Sequence, residues 1–275
     1  MVDRGFDYRL EPASPPSIEI GGEIRYGQSK DVPSRLGEPP TGLATVIFLA
    51  SHDAAENRRS LVALEGAVPA GVDVVVVADG VDLEAGTRHE IVRTSAPLGR
   101  GAALNIGVRR ARSEIVIALD PSVNPSGDVV TPLVEALRDA SVGVAGPVGL
   151  VSPDLQRFEE VVPSTGPLDV TAIGGGLMAF RRADAAERGP IDEAFRDPGY
   201  LDVWLSLVLR DEGEGSPARR AVAVPGLAIE RLGPAAPQTG RAAQRARLSK
   251  RNFYRVVDRF RTRLDLAGPS RERRA

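Results

Sequence analysis

The chain has 275 residues, a formal net charge of −2, and 42% hydrophobic against 26% charged residues, proportions that suit a globular protein whose core needs no cross-links. It has no cysteine and two histidines, His52 and His89, which excludes disulfides, thiolate catalysis and zinc sites built on thiolates or several histidines. The balanced charge leaves no footprint for nucleic acid, and no apolar run reaches the ~18 residues of a membrane span.

The opening segment MVDRGFDYRL is charged and lacks an apolar stretch, so the expectation is a cytoplasmic protein. Residues 1–42 carry Pro12, Pro15, Pro16, Pro33, Pro39 and Pro40. They read as an irregular leader, flexible or draped over the surface, with room for a short strand at Ser17–Ile20 before a Gly21-Gly22 turn. From Ala44 the run ATVIFLA predicts a strand buried on both faces. A helix is expected over Ala54–Leu64, a second buried strand over Val72–Asp79 and a short strand over His89–Arg93. Gly101–Ala111 has a helical apolar spacing. A third buried strand, Glu114–Leu119, ends at Asp120. Val129–Asp139 reads as a helix and Val142–Pro147 as a strand.

Strands alternating with helices imply a parallel sheet, and such sheets bind ligands beyond the carboxyl ends of their strands. Those ends carry Ser51-His52-Asp53, Asp79-Gly80 and Asp120-Pro121-Ser122. One such cluster reads as a cap or turn; three at one edge read as a site. Farther on, Tyr200–Asp211 predicts a strong helix, with Leu201, Leu205, Val208 and Leu209 on one face, and Ala221–Val224 a strand. Asn252–Leu264 places Phe253, Val256, Val257, Phe260 and Leu264 on one helical stripe, with arginines opposite. The stripe reads as a docking face; the alternative is contact with an anionic membrane surface, where lipid-linked acceptors reside.

Residues from about 44 to 233 resemble the family 2 glycosyltransferases in the order and spacing of their segments. Leu98–Asp120, LGRGAALNIGVRRARSEIVIALD, is similar to that family's Gly-Lys-x-x-Ala-x-Asn-x-Gly helix and the strand after it. Ala78-Asp79-Gly80-Val81 stands where the family has Asp-Asp-Gly-Ser. Gly174–Phe195 resembles its acceptor-side segment, and Leu201–Gly213 its Glu-Asp helix. The resemblance implies an α/β, GT-A type nucleotide-sugar-binding fold over 43–235, with a mostly parallel mixed central sheet flanked by helices. A basic amphipathic helix and tail would follow over 236–275.

The same resemblance implies residue roles. Ser51, His52, Asp53, Asp79, Gly80, Arg100, Asn105, Asp120 and Ser122 would bind the nucleotide-diphosphate sugar, and Gly175, Gly176 and Trp204 would lie on the acceptor side. A leaving diphosphate needs its charge stabilised. In the family an Asp-x-Asp motif does this through a divalent ion, manganese or magnesium, which favours oxygen ligands. Here Asp120 matches the first Asp and Ser122 replaces the second, and the family's later metal-side histidine maps to Glu230, which reads as a second carboxylate for a metal or as a plain solvated strand end. Arg231 is the cation that would serve without a metal. Asp202 remains from the Glu-Asp motif, whose other acids are replaced by Leu201 and Trp204. It reads either as the base for the acceptor hydroxyl or as a carboxylate stabilised at a helix N-terminus.

The implied function is inverting transfer of a sugar to a glycan, lipid-linked or small-molecule acceptor, as in cell-wall or polysaccharide assembly. The departures at Ser122, Leu201 and Trp204 motivate a second reading, an inactive relative that binds a nucleotide or glycan or scaffolds a partner. SHDAAENRRS, after the first strand, has no glycine, which argues against a nucleotidyltransferase and a dinucleotide oxidoreductase.

Overall fold

The computed structural model describes residues 16–83, 89–213, 216–232 and 241–268, with side chains from 246 onward in the last stretch. Its first segment is a hairpin. β1 (Ser17–Ile20) and β2 (Glu23–Tyr26) pair antiparallel across the Gly21-Gly22 turn. A 3-10 turn at Ser29–Asp31 leads to β3 (Ala44–Leu49), α1 (Ala54–Ala67), β4 (Val72–Asp79), β5 (Glu90–Thr94), α2 (Arg100–Arg110) and β6 (Ile115–Leu119). Then follow β7 (Val123–Pro125), α3 (Val130–Ala136), β8 (Val142–Gly146), β9 (Val148–Val151), β10 (Glu159–Val161), β11 (Leu168–Val170), β12 (Ala172–Gly174) and β13 (Leu177–Arg181). The chain continues through α4 (Arg182–Glu187), α5 (Leu201–Arg210), β14 (Arg220–Ala223), β15 (Ile229–Arg231) and α6 (Arg241–Phe260).

Ten strands form the central mixed sheet, in the order β11-β14-β8-β13-β6-β3-β4-β5-β1-β2. β6, β3, β4 and β5 run parallel, and β13 lies antiparallel between β6 and β8. The apolar runs explain the centre. Along β3, Ile47 and Leu49 face one helical layer while Val46 and Phe48 face the other, because side chains alternate on a strand. α2, α5 and α6 cover the first face; α1 and α3 cover the second.

Within the leader expected over 1–42, the strand at Ser17–Ile20 and the Gly21-Gly22 turn form where the sequence left room for them, and Glu23–Tyr26 adds a second strand. β1 pairs with β5 and extends the sheet, with Ile18 and Val32 buried. The prolines that made the stretch look irregular flank the hairpin. Buried Arg182 holds the following segment, donating to the carbonyls of Arg35 and Glu38 and to that of Ala111. The expected leader's residues 1–15 lie outside the described residues.

α6 docks through its apolar stripe. Val256 and Phe260 are fully buried, and Arg259 lies over the Trp204 ring of α5 at 5.2 Å. Leu264, expected on the same stripe, falls beyond the helix and is exposed, while Leu266 is buried. Val256 and Phe260 thus turn the described part of the stripe toward the core. No helix among the described residues is long and apolar enough to cross a membrane.

Phe260→Ala will lower stability by about 3–5 kcal/mol in denaturant unfolding, as emptying an aromatic core position does. A change below about 0.5 kcal/mol, typical of a surface site, would mean that α6 is not docked.

Candidate active site

Winding of the parallel strands reverses at β3, with β4 and β5 to one side and β6 to the other. Such a switch point opens a crevice at the carboxyl ends of the strands. Arg100, in the first turn of α2, bridges it. Nη1 donates to Leu49 O at the end of β3 (2.7 Å), and Nη2 pairs with the Asp120 carboxylate just past β6. One guanidinium thus joins two strand ends.

Asp79 positions the loop that carries Arg100. Its Oδ1 accepts from Thr94 Oγ1 and Leu98 N, and its Oδ2 from Gly99 N, each at 2.8 Å. Gly80 has φ 63°, and a Cβ there would approach Pro97 N to 2.5 Å. The turn at the end of β4 therefore requires glycine. Asp79 and Gly80, expected to touch the nucleotide, build the support for Arg100.

The other side of the crevice is bare backbone. Asp120 N donates to Gly176 O at 2.7 Å, and Asp120 Oδ1 accepts from Ser122 N (3.0 Å) and Ser122 Oγ (2.7 Å). Gly175 and Gly176 both have positive φ. A Cβ at Gly176 would lie 3.0 Å from Asp120 Cβ, and one at Gly174 would lie 3.5 Å from Asp202 Oδ2. Without side chains, Gly174–Gly176 lets Asp120 and Asp202 line the same strip of main chain.

Asp202 occupies the first turn of α5, and its Oδ1 accepts from Val203 N at 2.9 Å. Burial pushes its carboxyl up to about 6, and the nearby Asp120 charge adds to the rise against the Val203 hydrogen bond. The carboxylate is deep-set, yet part of the residue stays open to solvent. Such a group is poised to take a proton near neutral pH. Tyr200, the residue just before α5, has φ 63°, a strained conformation for a bulky side chain. α6 braces it: Asn252 Nδ2 donates to Asp197 O (3.1 Å) and Gly199 O (2.8 Å), and the Phe253 ring lies 5.3 Å from that of Tyr200.

β15 pairs with β7 and brings Arg231 to the same strip. Arg231 Nε lies 3.6 Å from where a Gly175 Cβ would be, and Nη1 pairs with Glu160 of β10 at 2.6 Å. Strand alternation turns the exposed Glu230 to the opposite face of this ribbon. The expected Asp120/Glu230 metal pair is therefore not formed. Both Asp120 oxygens are engaged by Arg100 and Ser122, and no three His, Asp or Glu side chains among the described residues cluster to hold an ion. These residues do not fit a divalent cation site.

Other expected contacts have internal partners. Asn105 is buried, exchanges hydrogen bonds with the Ile191 backbone and donates to Glu193, so it fastens α2 to the 191–193 turn. The backbone N–H and C=O of Ser51 pair with the Asn57 amide, both at 2.8 Å. Asp53 caps α1 through Ala55 N and Glu56 N. His52 is exposed next to this cap. Trp204 is buried between Phe195 and Arg259, closed to an acceptor. Asp53, Asp79 and Asp120 share one sheet edge, and each carboxylate has internal partners: the first turn of α1, the loop before α2, and Arg100 with Ser122. A cavity of about 540 Å³ opens at the amino ends of β3, β4 and β5, on the opposite edge. Glu160 went unread in the sequence, since it lies 71 residues from its partner Arg231 in a segment without a recognisable motif.

The raised Asp202 carboxyl has a stability consequence. Its protonated form is favoured by folding, so the group costs nothing below about pH 3.8 and the cost grows until pH passes about 6. Asp202→Asn will therefore stabilise the fold well above pH 6 by ~3 kcal/mol and by little at pH 3.5, read from unfolding curves at both values. Equal effects at both would show that Asp202 has an ordinary carboxyl.

No protein-family model matches the chain, and no curated protein matches it by sequence. Solved structures match it by shape. GalNAc-T7 with UDP, GalNAc and Mn2+ superposes with a TM-score of 0.62 at 14% identity, over 80% of this chain and 48% of that one. The mannosyltransferase PcManGT from Pyrobaculum calidifontis, in complex with GDP-Man and Mn2+, superposes with a TM-score of 0.55 at 20% identity, over 86% of this chain and 71% of that one. The chain thus spans about half the length of GalNAc-T7. At these identities the likeness is one of architecture, and the architecture is the GT-A fold of glycosyltransferases.

Proposed function

We propose that the chain transfers a glycosyl group from a nucleotide-diphosphate sugar to a hydroxyl of a glycan, lipid-linked or small-molecule acceptor, with inversion at the anomeric carbon. The observation that carries this reading is Asp202. A deep-set carboxyl raised to about 6 faces bare glycine backbone beside Asp120, at the sheet's switch point. The donor class is supported by the company the fold keeps: one neighbour holds UDP and GalNAc, the other GDP-Man.

The residues suggest a division of labour. Asp202 accepts the proton of the acceptor hydroxyl as its oxygen forms a bond to the anomeric carbon. The bond from that carbon to the diphosphate breaks, and its electron pair leaves with the diphosphate. Gly174–Gly176 gives the sugar room to lie against main chain. Arg100, fixed by Leu49 O and Asp120, holds an oriented guanidinium in the wall of the crevice before substrate arrives, its charge balanced by Asp120 until the diphosphate competes for it.

The test is turnover of a panel of UDP- and GDP-sugars, followed by release of nucleoside diphosphate with and without sugar acceptors. Active protein is expected, with kcat/KM rising to a plateau through about pH 6 as Asp202 ionises. Asp202→Asn should lower kcat by 10²- to 10⁴-fold, the usual range for a general base, and abolish that limb. An active Asp202→Asn variant would remove Asp202 from the chemistry. Nucleotide binding without any turnover would favour the inactive-relative reading.

A further inference from the structure

Resting on the glycosyl-transfer reading, we propose that the donor diphosphate is held without a divalent ion, by Arg231 released from Glu160 and set against the Gly175-Gly176 backbone. Both structural neighbours carry Mn2+, so this chain differs from them at the centre of its site. The difference begins with the ligands. A hard divalent ion needs several oxygen donors, usually including carboxylates. Asp120 offers one carboxylate, already paired with Arg100 and bonded by Ser122. Ser122 is neutral, and Glu230 belongs to the other face of its ribbon. An incoming metal ion would have to displace Arg100, whose second N–H group is tied to Leu49 O. The displaced guanidinium would then stay beside the metal as a like charge.

Arg231 has what the anion requires. Its guanidinium lies against Gly175, across the glycine strip from Asp120 and Ser122. A planar guanidinium bonds phosphate through two parallel N–H groups. Its present partner, Glu160, is a half-exposed carboxylate at 2.6 Å, and such surface pairs are weak. A diphosphate with two or more negative charges competes well for the same cation. Glu160 then acts as a latch that keeps Arg231 folded over the strip until the anion arrives. The arrangement assigns Arg231 to donor binding and Glu160 to positioning.

Calorimetric titration of the full chain with UDP and with GDP, each in EDTA and each with added Mn2+, tests the proposal. At least one nucleoside diphosphate should bind with a Kd that Mn2+ changes by less than about threefold. Arg231→Ala should weaken that binding by about tenfold or more, the loss expected for one charge-assisted contact. Glu160→Gln should tighten it several-fold, and the matching nucleoside without phosphates should show no response to either substitution. Arg231 is half-exposed, so circular dichroism should show both variants folded. Binding that requires Mn2+ overturns the proposal and leaves the glycosyl-transfer reading standing. Metal-free binding unaffected by Arg231→Ala overturns the role of Arg231. Failure of both nucleotides to bind under either condition removes the glycosyl-transfer reading, and the proposal with it.

Discussion

The ion pair between Arg100 and Asp120 is the contact around which this site is built. It fastens α2 to the end of β6, while the same guanidinium grips the last carbonyl of β3. A buried or half-buried pair of this kind is stable only when its remaining donors and acceptors are met. Here they are: Leu49 O takes one N–H, and Ser122 supplies two donors to the other Asp120 oxygen. Asp79 contributes by closing the loop before Arg100. The carboxyl edge of the sheet therefore presents a fixed guanidinium, its charge balanced by Asp120, before any ligand is present.

Around that centre the fold carries two further costs. Tyr200 adopts a left-handed conformation at the start of α5, and Asp202 loses solvation in the first turn. Strain and burial of this sort usually persist where surrounding structure enforces them. α6 provides the enforcement through Asn252 and Phe253. The basic C-terminal helix is thus connected to the candidate base by contacts, which gives it a part in the site that its arginine content does not suggest.

The sheet was legible because β3, β4 and β6 are apolar on both faces, a pattern that few other settings produce. α5 was legible from its apolar face. The strand at Ser17–Ile20 and its Gly21-Gly22 turn were legible as well, whereas the partner strand Glu23–Tyr26, with Ile24 and Tyr26 exposed, has no continuous apolar run to announce it. Arg100, Asp120, Ser122, Gly175, Gly176 and Asp202 lie near one another at this edge. Asp53, Ser51 and Asn105 instead satisfy backbone or neighbouring side chains. Sequence shows that a polar atom exists at a strand end; it does not show whether that atom already has an internal partner. Trp204 illustrates the same gap, because its helix face is decided by α6, which packs from far along the chain. Glu230 and Arg231 are adjacent in sequence, and only the pairing of β15 with β7 separates their faces.

The most direct measurement of the central claim is a crystal structure of the chain soaked with a nucleoside diphosphate. The phosphates should lie on the glycine strip between Arg100 and Arg231, with Asp202 facing the space where the sugar would be. Phosphates found instead in the cavity at the opposite sheet edge, among Arg35, Arg110 and Arg112, would contradict the account.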